Sequence, residues 1–424
     1  MESLILTVGT NPLPNLVVAR YLLGQPNHQI SSIYLIYSES NRWQKGTKDY
    51  ADNLKGLLED TIKIELIPLS DVGNPKKILE DLNNYPWDER MKYHLNYTGG
   101  TKTMSVHVHA FFKSKFNIDF SYLDARSYTL RYDNGTYCPI NGDLRDYVKV
   151  NIKELLKLHG YEIKSDSFKN TTFDNVLDKF KKSIQEDSYK QFIEWYKNIN
   201  HIKRENNFRN ANDFINNLEQ EFPINLKLIA EKFGENMPEI TREILDAFPV
   251  ENQIHYVQNG EYKLWKPEQN DKNFKNRFKN TWEYIDGKWL EHYVYDGLRK
   301  ILQEKGLKEN DHYGWSLKSR NRENKEFELD IFLINGYQLI AISITTDAQT
   351  NICKSKGFEV IHRARQIGGD ESTAILITAL NKEKANELQK DLHINTGTSE
   401  ERFKVFGIDD WKDIEQQILN FINI

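Results

Sequence analysis

The strongest constraint on the fold is an alternation. Short, nearly unbroken apolar runs give way repeatedly to small polar turns and then to helical spacing. The run at 3–8 (SLILTV) ends at Gly9-Thr10-Asn11-Pro12, and 13–23 follows with helical period. The run at 33–37 enters Ser38 ahead of a helix across 50–58, and 62–69 precedes a helix around 75–82. The run at 93–96 reaches Thr98-Gly99-Gly100-Thr101-Lys102, with a helix over 103–115 beyond it. Continuous apolar runs mark strands covered on both faces, and strands separated by helices lie parallel. The pattern predicts an α/β fold, an open sheet of Rossmann type over residues 1–150. A hairpin of 118–123 and 128–132, with a turn at Asn134-Gly135, closes it.

In such sheets ligands sit beyond the carboxyl ends of the strands. Both Gly9-Thr10-Asn11 and Thr98-Gly99-Gly100-Thr101-Lys102 fall there. Gly99 and Gly100 give the backbone freedom to turn sharply or to let a ligand approach. Thr98, Thr101 and Thr103 bring hydroxyls, and Lys102 brings charge. Free amides at the start of the next helix suit a phosphate. The GxxxxGK[ST] spacing of a Walker A loop is absent, so a phosphorylated ligand other than a P-loop NTP is expected.

At 424 residues the chain has room for two or three cores. A net charge of −5 argues against a protein coated in nucleic acid and confines any basic surface to a patch. Two cysteines, Cys138 and Cys353, make neither a disulfide framework nor a thiolate zinc site. Both are expected as reduced thiols. With no basic leader and no apolar run of about 18 residues, a soluble cytoplasmic protein without membrane contact is expected.

Residues 151–279 read as a helical connector or a winged-helix-like module. Helical spacing covers 173–192, 213–222 and 224–233, and a hairpin spans 256–265 around Asn259-Gly260. Residues 280–424 read as a second α/β domain. After a break at Asp286-Gly287 come a helix over 288–305 and a strand over 327–334 carrying Glu328 and Asp330. A strand over 339–345, a helix over 354–366 closed by Gly368-Gly369, and a strand over 373–380 follow.

The order of these elements resembles the PD-(D/E)xK nuclease core. There, an aspartate on one strand and Glu-x-Lys on the next hold Mg²⁺ or Mn²⁺ and orient water toward the scissile phosphate. Asp330 stands at the first position, whereas the Glu-x-Lys position falls on Ser343-Ile344-Thr345. Glu291 on the preceding helix is the candidate second metal ligand beside Asp330. Glu328 shares the strand face of Asp330. Ser343 and Thr345 offer hydroxyls, which bind divalent ions more weakly than carboxylates. Asp347, Lys354 and Lys356 lie just beyond, and His362, Arg363 and Arg365 are candidates for contacting a nucleic-acid backbone. A GxSxG elbow is absent. So is the Arg–His spacing of HEPN ribonucleases, the nearest pair being Arg90 and His94. His107 and His109, two apart on a helix, read as structural.

Thr7-Val8-Gly9-Thr10-Asn11-Pro12 and 96–104 (NYTGGTKTM) resemble the two ligand motifs of CRISPR-associated Rossmann-fold (CARF) domains. Gly287-Lys288-Trp289-Leu290-Glu291 and Glu328-Leu329-Asp330 resemble the nuclease half of the CARF plus PD-(D/E)xK effectors of type III CRISPR systems. The resemblance covers roughly 1–150 and 280–390. It implies a homodimer that binds cyclic oligoadenylate across its two-fold axis, usually cyclic tetra-adenylate, with cyclic hexa-adenylate as the other ring size. Gly9, Thr10, Asn11 and Ser38 would line the ring, Thr98, Gly99, Gly100, Thr101 and Lys102 would meet the phosphates, and Met104 would sit alongside. The implied output is Mn²⁺- or Mg²⁺-dependent cleavage of DNA, RNA or both, in antiviral defence. The alternative is the same sensor with an inactive nuclease fold that binds or regulates a partner.

Overall fold

The computed structural model describes residues 2–42, 45–205, 232–264 and 272–423. The first domain runs β1 (Glu2–Thr7), α1 (Leu13–Leu23), β2 (Ile30–Ser38), α2 (Lys48–Leu58), β3 (Lys63–Leu69), α3 (Pro75–Asn84), β4 (Lys92–Asn96), α4 (Lys102–Lys115), β5 (Ile118–Asp124), β6 (Thr129–Tyr132) and β7 (Tyr137–Cys138). Its sheet has the order β3-β2-β1-β4-β5-β6-β7. The first five strands are parallel and the last two antiparallel. All six residues of β1 are buried, as a central strand covered on both faces requires. The strand order reverses between β1 and β4, and at that reversal the connecting loops part to leave a crevice. Both polar loops predicted as a ligand site leave the sheet there.

Two short helices, α5 (Leu144–Tyr147) and α6 (Ile152–Leu158), carry the chain out, each opened by a capping box, on Asp143 and Asn151. Next, β8 (Tyr161–Ile163) joins the C-terminal sheet as its edge strand, so a segment read as connector is structurally part of the second α/β unit.

The middle contains α7 (Asp174–Gln185), α8 (Tyr189–Glu205), α9 (Glu239–Asp246), the hairpin β9 (His255–Gln258) and β10 (Glu261–Leu264), and α10 (Lys272–Glu283). The helix expected over 173–192 is two helices. Asp187 takes a left-handed φ of 58° and the Ser188 amide turns back to the Ser183 carbonyl at 2.9 Å, which ends the first. The helix expected at 213–222, and most of that at 224–233, lie outside the described residues.

The C-terminal domain runs α11 (Trp289–Glu304), β11 (Tyr313–Asn321), β12 (Glu326–Asn335), β13 (Gln338–Ile344), α12 (Thr350–Gly368), β14 (Thr373–Ile377), α13 (Lys382–Thr396), β15 (Phe403–Phe406) and α14 (Ile414–Ile422). Its sheet order is β15-β14-β13-β12-β11-β8. The break expected at Asp286-Gly287 is a kink: Gly287 leaves helical geometry (φ 168°, ψ −25°) within a π-helical turn, Tyr284–Lys288, that joins α10 to α11. No helix among the described residues is long and apolar enough to cross a membrane. Cys138 and Cys353 are both free thiols.

The first and last domains share one apolar core, in which Leu144, Val148 and Leu155 pack with Phe332, Tyr337 and Ile367. The Val150 amide donates to the Gly336 carbonyl at 2.9 Å, and Arg402 reaches the Ala125 carbonyl at 2.6 Å. Near this junction Glu371 is 2% exposed, and burial pushes its carboxyl up to about 7. A carboxyl raised on folding binds its proton more tightly in the native state, so its contribution is full at low pH and lost as pH rises from about 4.5 to about 7. Between pH 5 and 8 the wild type should lose up to about 3 kcal/mol relative to Glu371→Gln. Parallel denaturant titrations at the two pH values measure this, and equal slopes against pH would refute it.

Candidate functional site

The crevice is built from backbone. The Thr7 hydroxyl donates to the Gly99 carbonyl at 2.7 Å, and Asn15 Nδ2 donates to the Thr7 carbonyl at 3.0 Å. A Cβ on Gly9 would lie 2.7 Å from the Gly100 amide nitrogen, and one on Gly99 would collide with the Thr7 carbonyl. The two loops therefore touch main chain to main chain, which only glycine permits. Below them, Asn96 Oδ1 accepts from the Thr98 hydroxyl at 2.8 Å, and that hydroxyl accepts from the Leu123 amide at 2.7 Å. Thr101 caps α4, its hydroxyl accepting from the Met104 amide at 3.1 Å.

This leaves a polar surface at the strand ends. Thr10, Gly100 and Lys102 are exposed, and Lys102 forms no ion pair among the described residues. The first amides of α4 have no partner within the helix, and the helix dipole favours an anion beside them. Three residues predicted to line the ligand are employed otherwise. The Ser38 hydroxyl is buried 3.2 Å from that of Thr47, which in turn donates to the Val8 carbonyl at 2.9 Å. Met104 is buried beneath Gly100 and supports the loop from below. Asn11 Oδ1 accepts from the Leu13 amide and lies 3.2 Å from His159 Nε2, while its amide packs against Gly369 of the C-terminal domain. Asn11 thus ties the crevice loop to the other domain.

In the C-terminal domain, α11 and β12 bring Glu291 and Asp330 together. Trp315 Nε1 donates to Glu291 Oε2 at 2.7 Å. Burial, and then the charge of Asp330, push the Glu291 carboxyl up to about 8. Asp330 Oδ2 accepts from the Ile344 amide at 2.7 Å and from the Ser343 hydroxyl at 3.1 Å. Burial raises its pKa as well, opposed chiefly by the positive charge of Lys356 and then by those hydrogen bonds. Lys354 is held by Asp391 at 2.6 Å, so of the two lysines opening α12 it is Lys356 whose charge acts on Asp330, while Lys288 acts on Glu291.

Glu328 is exposed and takes the Ser316 hydroxyl at 2.6 Å. Thr345 Oγ1 accepts from the Asp347 amide at 3.2 Å. Arg363 stacks over Phe327 and Arg365 binds the Thr396 carbonyl, so both guanidinium groups brace α12. Among the described residues, no trio drawn from these acids has ligand atoms within 4.8 Å of one another. Two partly buried carboxylates, both raised by burial and Glu291 also by the charge of Asp330, are nonetheless a donor set that a divalent cation would relieve.

Residues 4–154 match the family model of the Card1 CARF domain. The N-terminal domain is a CARF domain. No curated protein matches the chain in sequence. Can2 from Sulfobacillus thermosulfidooxidans, solved in complex with cyclic tetra-adenylate, is 17% identical, with a TM-score of 0.61 over 100% of both chains. VC1899 from Vibrio cholerae is 13% identical, with a TM-score of 0.57 over 100% of this chain and 98% of its own. At these identities the likeness is one of fold, and it extends beyond the CARF domain along the whole chain.

Several residues around the CARF crevice and the acid pair escape sequence reading. Thr7, Asn15 and Thr47 buttress the CARF loops through contacts 92, 8 and 39 positions away in sequence. Trp315, which holds Glu291, lies on β11, a strand not predicted. Its alternation of Tyr313, Trp315 and Leu317 was the available signal. Ser316 breaks that strand with a left-handed φ of 58°, a conformation costing a non-glycine residue about 1–2 kcal/mol. It sits between the registers Trp315–Ile331 and Leu317–Leu329, and it turns its hydroxyl to Glu328.

Proposed function

We propose that the protein is a cyclic-oligoadenylate-activated, metal-dependent nuclease of type III CRISPR defence, acting as a homodimer on DNA, RNA or both. The observation that carries this reading is the pairing, in one chain, of a CARF crevice at the sheet reversal with the Glu291–Asp330 pair beside Lys356. Cyclic tetra-adenylate, the ligand of Can2, is the first candidate activator, and cyclic hexa-adenylate is the second. Lys102 and the leading amides of α4 would meet its phosphates, and Thr10 and Gly100 would line its edge.

Asp330 and Glu291 would hold Mn²⁺ or Mg²⁺, which when bound supplies an activated water and stabilises the pentavalent phosphate. Lys356 takes the part of the missing motif lysine, a positive charge beside the carboxylates where negative charge builds on the scissile phosphate. Ser343 keeps Asp330 aimed by its hydroxyl. Thr345 and Glu328 stand at the margin of the site. The bridge from Asn11 to Gly369 offers a short route from ligand to nuclease domain.

The test is incubation of purified protein with supercoiled plasmid and with single-stranded RNA in Mn²⁺, with and without cyclic tetra-adenylate. Activator-dependent cleavage is expected, and Lys102→Ala should raise the activator concentration needed at least about tenfold while leaving the saturated rate unchanged. Ligand binding without cleavage of either substrate would support a sensor with an inactive nuclease fold.

A further inference from the structure

Toward the amino-terminal end of the central CARF strands β1 and β4, opposite the crevice, three ligating side chains converge. Glu2 opens β1, His28 lies on the loop before β2, and His94 is in β4, the strand paired with β1. One ligand atom from each lies within 4.8 Å of the other two. The site is enclosed: His94 is fully buried and Glu2 is 6% exposed. It is also unsatisfied. His94 Nδ1 and Glu2 Oε1 are both buried without a hydrogen-bond partner.

The orientation of His94 follows from its other nitrogen, 2.7 Å from the Ser121 hydroxyl. That hydroxyl already accepts from Asn96 Nδ2 at 3.1 Å. An orphaned buried N–H is rarer in proteins than an under-satisfied acceptor. The fitting tautomer therefore has Nε2–H donating to Ser121 and a bare lone pair on the unpartnered Nδ1. Metal-bound imidazoles are held in this way, the distal N–H fixed by a hydrogen bond. His28 Nδ1 already approaches Glu2 Oε2 at 3.0 Å. Lys92 is 3.5 Å from Glu2 Oε1 but is held closer, at 2.8 Å, by Asp119.

We propose that Glu2, His28 and His94 form a binding site for a Zn²⁺-class transition-metal cation in the CARF domain, separate from the nuclease acids. Two neutral imidazoles and one carboxylate leave a fourth position for water, and this nitrogen-rich set selects zinc-like ions over Mg²⁺. Tetrahedral Zn²⁺ needs its donors about 3.3 Å apart, so the trio must close, and the partly exposed His28 loop provides the movement. The site links to the crevice by hydrogen bonds, from His94 through Ser121 and Asn96 to Thr98. A cation there would stiffen β4 beneath the ligand loop.

The experiment uses untagged full-length protein carrying Glu291→Gln and Asp330→Asn, so that the nuclease acids contribute no ion. After chelator treatment, Zn²⁺ is titrated in competition with a chromophoric chelator, and Co²⁺ is added separately for its visible spectrum. One tight equivalent per chain is expected, weakened at least about tenfold by His28→Ala. Since His94→Gln alters a buried position and could unfold the domain, the half-exposed His28 is the primary variant and Glu2→Gln the second. Absence of a stoichiometric equivalent, or affinity unchanged in both His28→Ala and Glu2→Gln, overturns the proposal.

Discussion

Gly99→Ala should abolish cyclic tetra-adenylate binding and destabilise the CARF domain by about 2–4 kcal/mol, although it adds a single methyl group. The added Cβ would collide with the Thr7 carbonyl and lie 3.1 Å from the Gly9 amide nitrogen and 3.3 Å from Asn15 Oδ1. None of these can yield alone. The Thr7 carbonyl is the last of β1 and is bound by Asn15 at 3.0 Å, while the Gly99 carbonyl takes the hydroxyls of Thr7 and Ser105. Relief requires the β1 and β4 loops to separate, which opens the crevice. Two other glycines calibrate the effect. Gly100→Ala meets Met104 Sδ at 2.7 Å, the end of a flexible side chain, and adds the left-handed penalty of a φ of 85°, about 1–2 kcal/mol. Gly135→Ala has the same φ and open space around it, so it should carry that penalty alone and leave ligand affinity intact. Anisotropy of a labelled cyclic tetra-adenylate and thermal unfolding, measured on all three, test the order. Affinity of Gly99→Ala within about threefold of wild type would refute the backbone-contact account.

What sequence could and could not reveal follows from the range of the signals. The five parallel strands of the CARF sheet are legible because each is a local run rich in apolar residues and each crevice loop a local cluster of glycine and hydroxyl residues, whereas the two-residue β7, which Asn134-Gly135 joins to β6, leaves no such signal. The contacts that decide which side chains face a ligand are not local. Ser38 and Asn11 have the chemistry of pocket liners, yet Thr47 engages the first and the junction with Gly369 engages the second. Pairing that depends on the tertiary fold leaves no mark in residue type. The C-terminal domain was harder for another reason. Its strand β11 carries Ser316 in a left-handed conformation, which interrupts the period-two pattern that identifies a strand. At Asp286-Gly287 the glycine does interrupt the helix, as a kink within a π-helical turn, and the chain then continues into the helix that presents Glu291. Deviations from regular geometry therefore lie on both elements that shape the acid pair.

That acid pair yields the second large effect. Asp330→Asn should lower activated cleavage by at least about a thousandfold while leaving affinity for the activator unchanged and the fold slightly more stable. The asparagine carbonyl can still accept from the Ile344 amide, which now meets the carboxylate at 2.7 Å, so the packing survives. What disappears is a buried negative charge, which burial already makes costly and which also raises Glu291. Removing it should let Glu291 ionise at lower pH. Lys356→Met separates the two roles at the site. It removes the charge that opposes the rise of the Asp330 pKa, so Asp330 should take up a proton at higher pH and the acid limb of the pH–rate profile should move upward. A residue with a purely structural part would lower the rate at every pH without moving that limb. Cleavage measured from pH 6 to 9 at saturating activator distinguishes the two, and an unshifted profile in Lys356→Met would exclude the lysine from the chemistry. The same variants decide whether Ser343-Ile344-Thr345 has disabled the site. If Lys356 replaces the missing motif lysine from the adjoining helix, wild type cleaves and Lys356→Met cleaves more slowly, with its acid limb moved to higher pH. If it does not, Asp330→Asn and wild type are equally inert, and what this domain retains is the nuclease-like fold joined to the sensor by the contact of Asn11 with Gly369.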